Sequence, residues 1–228
     1  MLSGMKVTVV GCSPAWPNPG GAQSGYLVEG SQRLLLDCGP GVLPRLRQAE
    51  NWPHVDAIAI THFHLDHWGD LVPWAFGGLF GAGRDQEPPQ LWFPHGGREV
   101  IHGLDPVLYA NAILELFEVH EYEEEKPFTV AGYDLIAYRM LHYALESYGL
   151  RVSDGDRTLA YSADSAPCCQ WRASAAAPAQ PASARAASTA IAATRKGRTR
   201  SEMARRRPTP STFASGTSTV VSLATMRR

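Results

Sequence analysis

The chain has 228 residues, 44% of them apolar and 19% charged, with a formal net charge of −1. That length supports one domain with a substantial core, and no apolar run approaches the roughly 18–20 residues of a membrane-spanning helix, so a role built on such a helix is excluded. The near-zero charge conceals an asymmetry: residues 170–228 carry ten Arg and one Lys against one acid (+10), leaving residues 1–169 with 10 basic and 21 acidic side chains (−11).

The segment Met1 to Val10 has no charged leader, long apolar stretch or cleavage site of a signal peptide. The four cysteines, Cys12, Cys38, Cys168 and Cys169, show no CxxC spacing. Both observations point to reduced thiols and a cytoplasmic location.

Residues 5–10 read as a strand, followed by a turn-rich stretch to Gly21. Residues 24–29 and 33–37 form a predicted hairpin joined by Gly30-Ser31, and Asp37-Cys38-Gly39-Pro40-Gly41 breaks its second strand. The Leu43, Leu46 spacing predicts a short helix over 42–49. Residues 55–60 are continuously apolar, as in a strand buried on both faces. Residues 68–80 are apolar all round and predict a mostly buried helix, loosened by Pro73 and Gly77-Gly78. A strand over 90–93 and a helix over 98–109 follow. Strands are then expected at 116–120, 133–141, 147–153 and 157–161, with an acidic, solvated loop over 121–126 and a tight turn at Asp154-Gly155-Asp156. Strand clusters separated by helices predict an α/β or α+β layered fold with the helices outside.

After Cys169 the pattern stops. Residues 173–193 are nearly all Ala, Ser, Pro, Gln and Thr, and Arg, Thr and Pro dominate 194–210. Such a segment cannot bury enough surface to offset chain entropy. A disordered tail and an out-of-frame read of a GC-rich gene both give this composition. The expected division is therefore a domain over 1–169 and a low-complexity tail over 170–228.

The densest chemistry lies in Thr61-His62-Phe63-His64-Leu65-Asp66-His67, three imidazoles and a carboxylate within six positions. A strand ending there would project His62 and His64 to one side, because strand side chains alternate. Asp66 and His67, past the turn, would face a second point a few ångströms away. That spacing suits two adjacent metal ions. His54, His95, His102 and His120 lack ligand spacing and read as ordinary surface or turn residues.

The run His62 to His67 resembles the HxHxDH signature of the metallo-β-lactamase-fold hydrolases. Leu34-Leu35-Leu36-Asp37-Cys38-Gly39-Pro40-Gly41 is similar to that family's first motif. His142, followed by Tyr148-Gly149-Leu150-Arg151-Val152, resembles the third-motif histidine of the ribonuclease Z-like branch. Tyr161-Ser162-Ala163-Asp164 resembles its strand-end motif with a metal-bridging aspartate. Alone, His142 has the alternative of a satisfied core histidine, and Asp37 and Asp164 that of strand-end turn formers.

The resemblance implies an αββα four-layer sandwich, incomplete at its C-terminus. It implies two divalent ions, zinc first with Mn or Fe as alternatives. His62, His64 and His142 would hold one, Asp66 and His67 the other, and Asp164 would bridge them. Asp66 would also be the catalytic carboxylate, and Asp37 would orient a ligand from behind. The implied reaction is phosphodiester hydrolysis by a metal-activated hydroxide, on a cyclic nucleotide, another small phosphodiester or an RNA 3′ end. Lactam or thioester hydrolysis is the alternative chemistry on this scaffold. A homodimer is compatible with this reading; a membrane partner is not expected.

One departure matters. The family pattern continues to a final ligand histidine, whereas His142 is the last histidine of this sequence. The second site is then one ligand short, and a truncated or frameshifted member that at most binds metal is the competing reading. A nucleic-acid-binding module using the Arg-rich tail is a third.

Overall fold

The computed structural model describes residues 4–166. The tail expected over 170–228, its boundary at 169, and Cys168 and Cys169 lie outside the described residues.

The first sheet begins as an antiparallel meander of β1 (Lys6–Gly11), β2 (Gly25–Glu29) and β3 (Arg33–Leu36). Helix α1 (Val42–Leu46) then leads to β4 (Ala57–Ala59), and α2 (Leu65–Trp68) and α3 (Leu71–Phe80) lead to β5 (Gln90–Pro94). Helices α4 (Gly97–Leu108) and α5 (Asn111–Leu116) precede β6 (Glu118–Tyr122). Strands β3 to β6 pair in parallel in chain order, so their C-terminal ends share one edge. The second sheet is antiparallel, built from β7 (Pro127–Val130), β8 (Tyr133–Met140), β9 (Ser147–Ser153) and β10 (Thr158–Tyr161) in the order β10-β9-β8-β7.

Side-chain alternation divides the core in two. Leu27, Leu35, Ile58, Leu91 and Phe93 point from the first sheet into a cluster that holds the buried faces of all five helices. Their chain neighbours Tyr26, Val28, Leu34, Leu36, Ala57 and Ala59 point the other way. There they meet Leu135, Ala137, Leu150, Val152, Leu159 and Tyr161 of the second sheet. This is period-two geometry applied to strands buried on both faces, each fully buried Leu or Ile contributing about 1.5–3 kcal/mol. The described residues thus form helix, sheet and sheet layers of the expected sandwich.

Several elements depart from the sequence reading. The strand expected over 55–60 is only β4, because Thr61 turns its backbone N–H onto the Asp37 side chain (2.9 Å). The helix expected over 68–80 is two helices broken after Trp68, and it is not mostly buried: only Leu71, Trp74 and Ala75 of α3 are, while Phe80 is 69% exposed. Gly77 does not loosen α3 either. A Cβ there would stand 2.0 Å from the Trp52 ring, so the glycine admits a close packing contact. Helix α5 and strand β7 carry no clear pattern and were not expected, and β6 starts two residues late because Leu116 closes α5. The loop expected over 121–126 begins inside β6, where Tyr122 is buried and donates to the Ile60 carbonyl (2.8 Å). Strand β9 has the expected bounds. Among the described residues no helix is long and apolar enough to cross a membrane.

Candidate metal centre

Four residues of the site lie just beyond the end of a strand, and His64, Asp66 and His67 sit at the N-cap and in the first turn of α2. Asp37 follows β3 by one residue, His62 follows β4 by three, His142 follows β8 by two and Asp164 follows β10 by three. Strand ends fix backbone position, while the loop residues after them are free to turn side chains toward a common point.

The loop after β4 is shaped by Asp37. Its Oδ1 accepts the Thr61 backbone N–H and the Thr61 hydroxyl, both at 2.9 Å. His64 is the N-cap residue of α2 in an extended conformation, and the His67 N–H bonds back to the His64 carbonyl at 2.9 Å. The expected strand geometry for His62 and His64 is therefore replaced by a loop and helix start, yet the two rings still converge, with centroids 4.9 Å apart.

His142 completes a triad. Its Nε2 lies 2.9 Å from His64 Nδ1, and His62 Nε2 lies 3.2 Å from that same atom. Three imidazole nitrogens at this separation compete for protons. A shared cation satisfies all three lone pairs, and ligands at about 2.0–2.1 Å from a tetrahedral zinc stand about 3.3 Å from one another. The donor set fits the group. Burial first, then the His67 charge, pushes His62 down to about 3, and burial likewise lowers His142. Both are neutral imidazoles, the form that ligates.

A second group combines His62, His67 and Asp164, whose ligand atoms also lie within 4.8 Å of one another. Asp164 presents Oδ1 at 3.5 Å from His67 Nε2 and Oδ2 at 3.9 Å from His142 Nε2. Its two oxygens thus face the two histidine groups. Asp66 stands at the edge, outside both compact groups, with Oδ2 3.7 Å from His67 Nε2.

Behind the ligands sits Asp37, fully buried. Its Oδ2 accepts His67 Nδ1–H at 2.6 Å, the Tyr161 hydroxyl at 2.5 Å and the Ser24 hydroxyl at 3.1 Å. Burial opposes both charges of this pair, but the mutual attraction wins: Asp37 is held below the usual carboxylate range, and His67 is pushed up to about 10 with Asp164 assisting. Asp37, Tyr143 and Ala163, adjoining or within the site, adopt left-handed φ values of 60°, 45° and 50°. Non-glycine strain of this kind concentrates at functional sites.

The structure brings His62, His64, His67, His142 and Asp164 together across a separation of about a hundred residues, with Asp37 behind them. Sequence reasoning missed Ser24, Thr61 and Tyr161, the partners of Asp37. Their only signal was position at the ends of strands bordering the motifs.

A family model for the anti-Pycsar protein Apyc1 matches residues 5–177. The chain belongs to that family. This Apyc1-family chain is 30% identical over 164 residues to the probable metallo-hydrolase YhfI of Bacillus subtilis, covering 71% of this chain and 64% of that protein. It is 26% identical over 169 residues to a ribonuclease Z of Myxococcus xanthus, covering 72% and 52%. The crystal structure of the metallo-β-lactamase fold protein YhfI superposes with a TM-score of 0.61 at 27% identity, covering 74% of this chain and 66% of that one. The human short-form tRNase Z (ELAC1) gives 0.58 at 21% identity, covering 74% and 73%, a likeness of fold. The fold is the metallo-β-lactamase fold, as the motifs implied. The chain spans less than two thirds of the length of these curated relatives.

Proposed function

We propose that this chain is a metal-dependent hydrolase acting on a small phosphodiester, a cyclic nucleotide being the foremost candidate. The observation that carries the reading is the posture of Asp164, one oxygen toward His67 and the other toward His142. A carboxylate between two imidazole groups is the arrangement a bridged pair of divalent ions requires.

His62, His64 and His142 would hold one ion; His67 and Asp66 would hold the other, with Asp164 common to both. Zinc suits the imidazole-rich donor set. Bound there, the ions would supply Lewis acidity and a nucleophile drawn from water near neutral pH. Asp66, partly exposed beside His67, offers a carboxylate oxygen to accept the proton of the attacking water. Asp37 holds the proton on His67 Nδ1, which leaves Nε2, the nitrogen facing Asp164, as the one that would give up its proton and ligate when metal binds. Leu65, Leu141 and Tyr143, next in sequence to the candidate ligands, are exposed, and we take them as apolar contacts for a nucleobase.

The −11 charge of residues 1–169 supports a small substrate over transfer RNA, whose grip needs clustered Lys and Arg. The test is metal analysis with hydrolysis of bis-p-nitrophenyl phosphate and of a cyclic nucleotide panel. Two equivalents of metal with turnover of both substrate types are expected; turnover of neither sinks the phosphodiesterase reading.

A second reading follows from His142 being the last histidine in the sequence. With the His67 ion one ligand short of the family pattern, the chain would bind metal without turnover. One equivalent of metal and no hydrolysis would select it. On either reading we take residues 1–169 as the functional domain and the basic segment 170–228 as an appendage.

A further inference from the structure

Tyr161 closes β10, three residues before Asp164, in the sheet that does not carry Asp37. Its buried hydroxyl donates to Asp37 Oδ2 at 2.5 Å and lies 2.8 Å from Ser24 Oγ. His67 donates to the same carboxylate oxygen at 2.6 Å. One oxygen therefore receives a phenol from one sheet and an imidazole from the ligand helix.

We propose that Tyr161 is a positioning residue for the metal centre. It acts on His67 through Asp37, and on Asp164 through the strand end it pins. The proposal rests on reading His67 and Asp164 as metal ligands. Two physical effects combine. A bond of 2.5–2.7 Å from a hydroxyl to a carboxylate is charge-assisted and strong, so the phenol draws off part of the charge on which His67 leans. The same bond ties the end of β10 to the end of β3, which sets where the next few residues can place Asp164 opposite His67.

Tyr26 supplies the control. Its ring lies 4.9 Å from that of Tyr161, it is equally buried, and its hydroxyl has no hydrogen-bond partner among the described residues. Tyr26→Phe removes a hydroxyl from the same aromatic pair without touching Asp37.

The experiment follows the His67 Nδ1–H signal by proton–nitrogen NMR in the metal-free full chain, then titrates zinc. With the phenol gone, the Asp37 charge concentrates on His67, so Tyr161→Phe moves that signal downfield while Tyr26→Phe leaves it in place. Zinc affinity at the His67 and Asp164 group falls by about 10- to 100-fold in Tyr161→Phe, with the His62, His64 and His142 group unchanged. An unmoved His67 signal in Tyr161→Phe overturns the proposal. Should that variant fail to fold, Ser24→Ala replaces it, because the Ser24 hydroxyl bonds the same cluster; a smaller downfield shift supports the proposal and none overturns it. If the parent chain takes up a single zinc equivalent, the two-metal reading fails, and the NMR arm still decides the role of Tyr161.

Discussion

His67 donates its Nδ1 proton to Asp37 across 2.6 Å, and both side chains are sealed from solvent. This contact fixes which imidazole nitrogen is left to face Asp164.

Replacing Asp37 by Asn keeps the shape and removes the charge. The donors from His67, Tyr161, Thr61 and Ser24 would then converge on a neutral amide that brings donors of its own. Breaking a buried pair in this way costs about 3–5 kcal/mol. Urea unfolding of Asp37→Asn measures it, and a loss below about 1 kcal/mol would mean that the donors find other partners.

Metal-free chain should be most stable near pH 6.5. The folded value of His67, about 10, lies above its unfolded value, so its contribution is complete below about pH 6.5 and is lost as pH rises toward 10. The folded value of His62, about 3, lies below, so the folded state binds fewer protons and stability is lost as pH falls from 6.5 toward 3. Denaturant midpoints measured across pH 4–9 on chelator-treated protein should trace a maximum. A midpoint that climbs steadily to pH 9 contradicts this account of His67.

His64 belongs to the His62, His64 and His142 group, and its Nδ1 is the atom both partners approach. His64→Ala should lose about one equivalent of bound metal and most hydrolytic activity, read by elemental analysis and bis-p-nitrophenyl phosphate turnover. Full metal content with full activity would refute the ligand assignment.

Gly39 couples the first motif to the histidine motif. A Cβ there would sit 1.9 Å from the Asp66 carbonyl oxygen, so Gly39→Ala must push the start of α2 away. Overpacking of this kind costs about 1–3 kcal/mol. The expected outcome is a lower melting temperature together with weaker metal binding, since Asp66 and His67 ride on the displaced turn. Unchanged metal affinity would show that the ligand turn moves independently of this loop.

The helix glycines and the short elements show where reading along the chain fails. Local propensity makes Gly77 a loosening residue, but the Trp52 ring packed against it reverses the meaning. Helix α5 and strand β7 are six and four residues long and show no period that local pattern can detect. Strand β9, by contrast, alternates between two buried faces over seven residues and was legible with its bounds.

From the residues alone came the candidate ligands and the motif order that names the fold. Metal-ligating side chains are rare, chemically distinct and clustered, and their types survive without knowledge of their neighbours. Tertiary structure decided the rest: which oxygen of Asp164 faces which histidine, that Asp66 stands outside the compact groups, and that Ser24, Thr61 and Tyr161 gather on Asp37. Those contacts join residues up to 124 positions apart, across two sheets, and ordinary serines, threonines and tyrosines acquire a role only from what the fold places beside them.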